Sequence, residues 1–221
     1  MKLRYLVFLG SIRDSAPPRP ARLGLRVARR AEALLAEKAD VRLVDPLDAA
    51  LAGDLAGAFK PHFAYAKGAA PRGLDDLAAD IAAADGYVMV SPEYNHSMSP
   101  ALAHLLNHFG ASLFAGKPSA IVTYSAGQWG GARAAVAMRA FLSEMGCLPV
   151  SAMIHVPKAQ EVLAEDGSFL ASVDDARWTG YFERTLAQLR WWAEAARRQR
   201  DEHAEDFPPP FARDPSQRNA P

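Results

Sequence analysis

GYVMVSPEYNHSMSPALAHLLNHF, residues 86–109, is the stretch whose reading decides the fold. Gly86 to Val90 form a continuous apolar run, the pattern of a strand buried on both faces. Ala101 to Phe109 carry apolar side chains at helical spacing. A strand that feeds straight into a helix is half of a parallel α/β unit, and a short turn would join the two. Instead Pro, Glu, Tyr, Asn, His and Ser crowd the junction, SPEYNHSMSP at residues 91–100. A junction of that composition is expected to bind something.

The same unit recurs on either side. LRYLVFL (3–9) reads as a first buried strand ending in Gly10, and 22–38 as an amphipathic helix with Leu23, Val27, Ala31, Leu34 and Leu35 on one face. Residues 40–45 alternate as a second strand. From 46 to 73 the pattern fails amid Ala, Gly and proline, which predicts a long excursion with one short helix, and loops of that length usually carry function or move. A helix over 74–84 with Leu74, Leu77 and Ile81 inward precedes the quoted strand.

Downstream follow a strand over 119–124, the loop SAGQWGGA, a helix over 132–145 and a fifth strand over 148–156. Asp166-Gly167 is a hairpin signal. Residues 174–203 form a long helix with Trp178, Phe182, Thr185, Leu189 and Trp192 recurring every three or four positions. The chain to 203 is expected to be one domain, with 204–221, rich in Pro and polar residues, a disordered tail. Strands alternating with helices give a doubly wound α/β fold with a parallel sheet and helices on both faces.

Composition narrows the function. With 25 basic against 25 acidic side chains, there is no net field to draw nucleic acid. The N-terminal apolar run is too short for a signal peptide or a membrane span, and the single cysteine, Cys147, sits in an apolar context and suits a reducing compartment. A cytoplasmic protein without a membrane span is expected.

In a doubly wound sheet the ligand crevice lies at the carboxyl ends of the strands, where the strand order reverses. Three loops meet there. GSIRDSAPPRPARLG (10–24) offers Ser11, Arg13, Arg19 and Arg22 ahead of a helix whose first amides are unpaired, which suits a phosphate dianion and equally a solvated arginine loop. It has neither Gly-x-Gly-x-x-Gly nor a Walker lysine, so a single terminal phosphate fits better than a pyrophosphate. In the second loop Pro92 and Pro100 fix the backbone, while Glu93, Tyr94, Asn95 and His96 present groups that fit either the edge of a flat heterocycle or a capped helix start. The third loop holds Ser125, Gly127, Gln128, Trp129, Gly130 and Gly131, a site of close backbone approach or a tight turn on a buried indole. Phosphate and planar-ring chemistry at one edge point to FMN. His104 and His108 lie one turn apart with no Glu or third ligand, and no metal site is expected.

GSIR, RLGLRVA, SPEYNHSMSPALAHLLNHF, KPSAIVTYSAGQWGGARAAVAMRAFLSEMG and LPV follow one another from about residue 3 to 156, and in this the chain resembles the NADPH-dependent FMN reductase family. The resemblance implies a flavodoxin-like three-layer sandwich with strand order 2-1-3-4-5 and FMN over its edge. It implies NADPH or NADH as co-substrate and a quinone, free flavin or similar small molecule as electron acceptor, in a homodimer or homotetramer. By position, Ser11 and Arg13 match the family's phosphate loop. Pro92, Glu93, Tyr94, Asn95 and His96 match the loop at the pyrimidine side of the flavin, and Ser125, Gly127, Gln128, Trp129 and Gly130 the loop at its other side. An apparent insertion at 14–21 departs from the family's phosphate loop; Arg22 is the expected completion of the cradle, with Arg19 and Ser15 behind it. His62, Phe63, Tyr65 and Trp129 are expected around the acceptor, and no catalytic acid or base is assigned. The other readings are an FMN-binding electron carrier or redox sensor without nicotinamide turnover, and an interaction scaffold that has lost FMN.

Overall fold

The structure, a computed structural model, describes residues 2–13 and 22–209. Arg19, Ser15 and the rest of the 14–21 insertion lie outside the described residues, as does 210–221. The sheet runs β2 (Asp40–Val44), β1 (Arg4–Leu9), β3 (Gly86–Pro92), β4 (Pro118–Tyr124), then β5 (Leu148–Pro149) and β6 (Ile154–Val156), all pairings parallel. This is the expected order. The reversal between β1 and β3 opens the crevice at their carboxyl ends.

The continuous apolar runs are buried on both faces. On one side Val7, Val88 and Val122 meet α1 (Leu23–Ala36) and the long C-terminal helix. On the other Phe8, Met89 and Ile121 meet α3 (Arg72–Ala83), α4 (Pro100–Asn107) and α6 (Ala132–Glu144). Each such side chain contributes roughly 1.5–3 kcal/mol relative to exposure. Cys147 is buried there, its thiol pushed up to about 12 by burial, so it packs rather than reacts.

The structure departs from expectation in detail. The fifth strand is broken: Leu148 pairs with Pro118 but Ile154 with Val122, so the register slips by two residues across 150–153. Side chains elsewhere satisfy the bulge, Arg139 donating to the carbonyls of Val150 (2.9 Å) and Ser151 (2.5 Å) and the Ala152 amide donating to Gln188 (3.1 Å). The 46–73 excursion holds α2 (Ala49–Leu55) and a 3-10 turn at His62–Ala64. Short helices α5 (Ala111–Phe114) and α7 (Ala159–Val162) follow α4 and β6. In α8 (Asp175–Glu202), capped by the Asp174 side chain, Ala193 rather than Trp192 continues the buried stripe of Phe182, Thr185 and Leu189. Asp166-Gly167 does make a tight turn, with Gly167 at φ +89° and a bridge from Leu163 to Phe169. Within the stretch expected as tail, Ala204–Asp206 forms a 3-10 turn and Phe207 lies against Gly116. No helix among the described residues is long and apolar enough to cross a membrane.

Candidate flavin site

Gly10 brings the first two loops together. Its amide donates to the Val90 carbonyl at 2.7 Å, and a Cβ there would sit 2.7 Å from both Val90 O and Leu102 Cβ, so only glycine lets β1, β3 and α4 approach this closely. Ser99 completes the joint: its hydroxyl donates to the Gly10 carbonyl and accepts from the Leu102 amide (3.0 Å), capping α4, while its own amide donates to Ser91 (2.9 Å).

The result is a cleft of about 250 Å³. Ser11, Arg13, Arg22 and Leu23 form one wall, Pro92, Glu93 and Tyr94 the second, and Tyr124, Ser125 and Ala126 the third. Seven of the expected site residues therefore meet in it. Asn95 and His96 do not line it: with φ of +50° and +63° they form the tip of a hairpin whose Tyr94 and Ser97 exchange both backbone hydrogen bonds (3.0 and 2.9 Å). Nor do Gly127, Gln128, Trp129 and Gly130, and His62, Phe63 and Tyr65 are likewise absent from its lining. His62 instead pairs with Asp75 at 2.8 Å, and Tyr65 lies under the Lys60 ammonium.

Charge in the cleft is positive. Arg13 is exposed, and its guanidinium makes no hydrogen bond or ion pair with the described residues. Arg22 is held bidentately by Asp45 (2.6 and 2.9 Å) and donates to the Ser11 carbonyl, which leaves its Nε buried without a partner. α1 begins directly after it with no acidic residue in its first turn and no side-chain cap on its N-cap Arg22, so no carboxylate of its own first turn neutralises the start of this 14-residue helix, whose Leu23 lines the wall.

The one carboxylate on the opposite wall is spent. Glu93 accepts from the Arg133 guanidinium (2.8 Å) and from the amides of Arg133 (3.1 Å) and Ala134 (3.3 Å), the start of α6. Burial would raise its pKa, but those bonds outweigh burial and hold it below the usual carboxylate range. Glu93 thus acts as the rivet between the second and third loops. The third loop is braced within itself by Ser125, which donates to the Gly127 carbonyl (2.7 Å) and accepts from the Gly130 amide (2.9 Å).

Tyr124 was missed by sequence reasoning because it reads only as the end of an apolar strand. Burial pushes its phenol up to about 12, with Tyr94 adding to the rise and Ser11, Arg22 and Arg13 opposing it. Gly24 accommodates it, since a Cβ there would overlap the Tyr124 hydroxyl, a relationship visible only in the structure.

These features fit a phosphorylated ligand: among the described residues an arginine with no hydrogen-bond or ion-pair partner, a hydroxyl, a helix start without a side-chain cap, and no carboxylate in the lining other than the paired Glu93. The cavity is below the roughly 300–1,000 Å³ that encloses a whole cofactor, so it matches one end of FMN with the ring plate on the rim. The His104 and His108 Nε2 atoms lie 3.3 Å apart, and His108 Nδ1 faces the Lys60 carbonyl; among the described residues no third His, Cys, Asp or Glu joins them.

Comparison with known proteins gives the family and the fold. The model of the family described as NADPH-dependent FMN reductase matches residues 3–161. An NAD(P)H-dependent FMN reductase of Pseudomonas aeruginosa is 29% identical over 131 residues, 58% of this chain and 69% of that protein. An NADPH azoreductase of a Bacillus species is 40% identical over 63 residues, 28% of this chain and 35% of that protein. Among solved structures, the Paracoccus denitrificans flavoenzyme FerB, an NAD(P)H:(acceptor) oxidoreductase, superposes with a TM-score of 0.63 at 20% identity, covering 88% of this chain and 98% of that one.

Proposed function

This chain belongs to the NADPH-dependent FMN reductase family, and we propose that it seats FMN with the phosphate among Ser11, Arg13 and the first amides of α1 and delivers reducing equivalents from NAD(P)H to a quinone, free flavin or similar planar acceptor. It is a flavin-dependent NAD(P)H oxidoreductase of flavodoxin-like fold. FMN, when bound, supplies the chemistry of accepting hydride and releasing electrons; the protein supplies position and electrostatics.

The observation that carries the reading is the Arg13 guanidinium, without a hydrogen-bond or ion-pair partner among the described residues, beside the uncapped start of α1 and opposite a wall whose one described carboxylate is neutralised by Arg133. Arg22 contributes charge while Asp45 fixes its orientation. Pro92, Tyr94 and the backbone through Asn95 and His96 border one side of the ring plate. Ser125, Gly127, Gln128 and Gly130 border the other, and the exposed Trp129 indole, outside the cleft's lining, is left to the acceptor side. Glu93 takes no part in proton transfer, since its oxygens are occupied by donors.

Purified protein supplied with FMN should turn yellow, show flavin absorbance after desalting and oxidise NADPH when a quinone is added. Protein that stays colourless and inactive would end the proposal; colour without NADPH or NADH oxidation would make it a carrier.

The chain to residue 203 is taken as one domain, and that domain as the protomer of a homodimer or homotetramer. Trp191 (62% exposed) and Trp192 (46%) lie edge to face 4.6 Å apart on the outer side of α8, with Leu148 half-exposed and sharing a groove with Trp192. That is more apolar area than a solvated helix face needs. Light scattering at micromolar concentration tests this, and a monomer contradicts it.

A further inference from the structure

Trp129 is 63% exposed, yet its loop is fixed. The Gly127 carbonyl accepts from the Lys158 amide (2.9 Å) and the Trp129 carbonyl from the Ala132 amide (3.3 Å). Gly130 and Gly131 hold φ of +61° and +78°, which side chains rarely adopt, and a Cβ on Gly131 would lie 2.8 Å from the Cβ of Thr123. The indole is therefore presented by backbone geometry rather than left loose on a mobile tip.

Beside it stands Arg133, whose guanidinium carbon is 5.7 Å from the indole centroid. Glu93 grips the Arg133 Nε and so sets the fork's direction, while its two Nη groups make no hydrogen bond to the described residues and the side chain is 47% exposed. Glu93 also lines the cleft, which puts this pair on the cleft's rim, one carboxylate away from its wall. An exposed indole face next to two free guanidinium donors matches one ligand shape: a planar aromatic ring with an anionic group at its margin.

We propose that Trp129 and Arg133 form a specificity subsite for such ring-plus-anion ligands, Trp129 stacking on the ring and Arg133 bonding the anion. The proposal rests on the flavin-reductase reading above and deepens it by naming the class of co-substrate. Two sources carry that chemistry: the adenosine 2′-phosphate end of NADPH, and an aromatic acceptor bearing a sulfonate or carboxylate. In either case the subsite selects through binding and leaves the chemistry at the ring plate unchanged.

The test compares Arg133→Gln and Trp129→Ala with wild type, each first shown by absorbance to retain FMN. Calorimetry on the FMN-loaded proteins measures adenosine 2′,5′-bisphosphate against adenosine 5′-phosphate, and naphthalene-2-sulfonate against 2-naphthol. Steady-state kinetics compare NADPH with NADH, and a sulfonated with an unsulfonated naphthoquinone. Loss of one charged hydrogen bond predicts weakening of the anionic member of one pair, relative to its neutral partner, by about 10- to 150-fold in Kd and KM, in Arg133→Gln and equally when Arg133→Gln is combined with Glu93→Gln, which removes the carboxylate that Arg133 neutralises. Trp129→Ala weakens both members of that pair, and Trp129→Phe restores most of the loss. Selective loss in the nucleotide pair identifies the dinucleotide as source; selective loss in the naphthalene pair identifies the acceptor. Equal affinities for all pairs in FMN-loaded wild type and variants overturn the subsite while leaving the flavin reading intact. Wild type that takes up no FMN fails at the absorbance step and removes both.

Discussion

The Tyr124 hydroxyl occupies the space where a side chain on Gly24 would begin, so the end of β4 and the start of α1 touch through a hydroxyl and a bare α-carbon. That contact closes the back of the cleft. It also lets Ser11, Arg13 and Arg22 act on the same phenol.

Gly24→Ala should therefore hurt although alanine is the better helix former. The gain of about 1 kcal/mol in helix propensity is set against about 1–3 kcal/mol for overpacking, because the ring carbon of Tyr124 and Leu9 also stand within 3.0 Å of the added methyl. Denaturant unfolding should show net destabilisation, and Tyr124→Phe in the same chain should recover only part of it. Additive effects of the two substitutions would refute the contact.

Asp45→Ala should cost about 1.5–3 kcal/mol of stability, since it strips the part-buried Arg22 guanidinium of two short bonds. Phosphate or FMN, by occupying the released guanidinium, should restore more stability to this variant than to wild type. Thermal shift with and without phosphate measures the difference, and an equal shift in both proteins speaks against Arg22 as part of the cradle.

How much of this was legible beforehand divides by range. The strands announced themselves as continuous apolar runs, and the site loops as polar junctions where short turns would do. Ser11, Arg13, Pro92, Glu93, Tyr94 and Ser125 were found that way and do line the cleft. The rest depended on distant partners. Nothing in LPVSAMIHV shows a register slip that Arg139 and Gln188 stabilise from other elements. The pairing of Arg22 with Asp45 joins α1 to the end of β2, and the role of Glu93 as a rivet becomes visible only when Arg133 arrives from α6. Trp192 kept helical spacing for Trp178 and Phe182, but drift over three turns carried it to the outer face.

Acid should loosen the segment between α2 and α3. The His62 amide donates to the His108 carbonyl (2.7 Å), the Phe59 ring packs at a tilt against His108 with centroids 4.8 Å apart, and His108 Nδ1 meets the Lys60 carbonyl. Burial, reinforced by His104, lowers the His108 pKa below its ordinary value of 6.5, while the Lys60 carbonyl pulls weakly the other way. The unfolded chain then binds more protons than the folded one in the window below that value, so stability falls as pH drops through it and is constant above it on this group's account. Unfolding free energies measured from pH 7.5 to 5 should show that slope, and His108→Gln should flatten it. A slope unchanged in the variant would assign the acid sensitivity to other groups.

The most direct measurement is the equilibrium affinity for FMN set against riboflavin, which carries the same ring without the phosphate, in wild type and in Arg13→Ala. The exposed Arg13 side chain makes no hydrogen bond or ion pair with the described residues, so its replacement should leave the unfolding midpoint in place. Wild type should bind FMN far more tightly than riboflavin, and Arg13→Ala should lose about 10- to 150-fold for FMN while riboflavin is unaffected. Equal binding of FMN and riboflavin by wild type, or an Arg13→Ala variant that loses nothing, would contradict a phosphate seat at the start of α1.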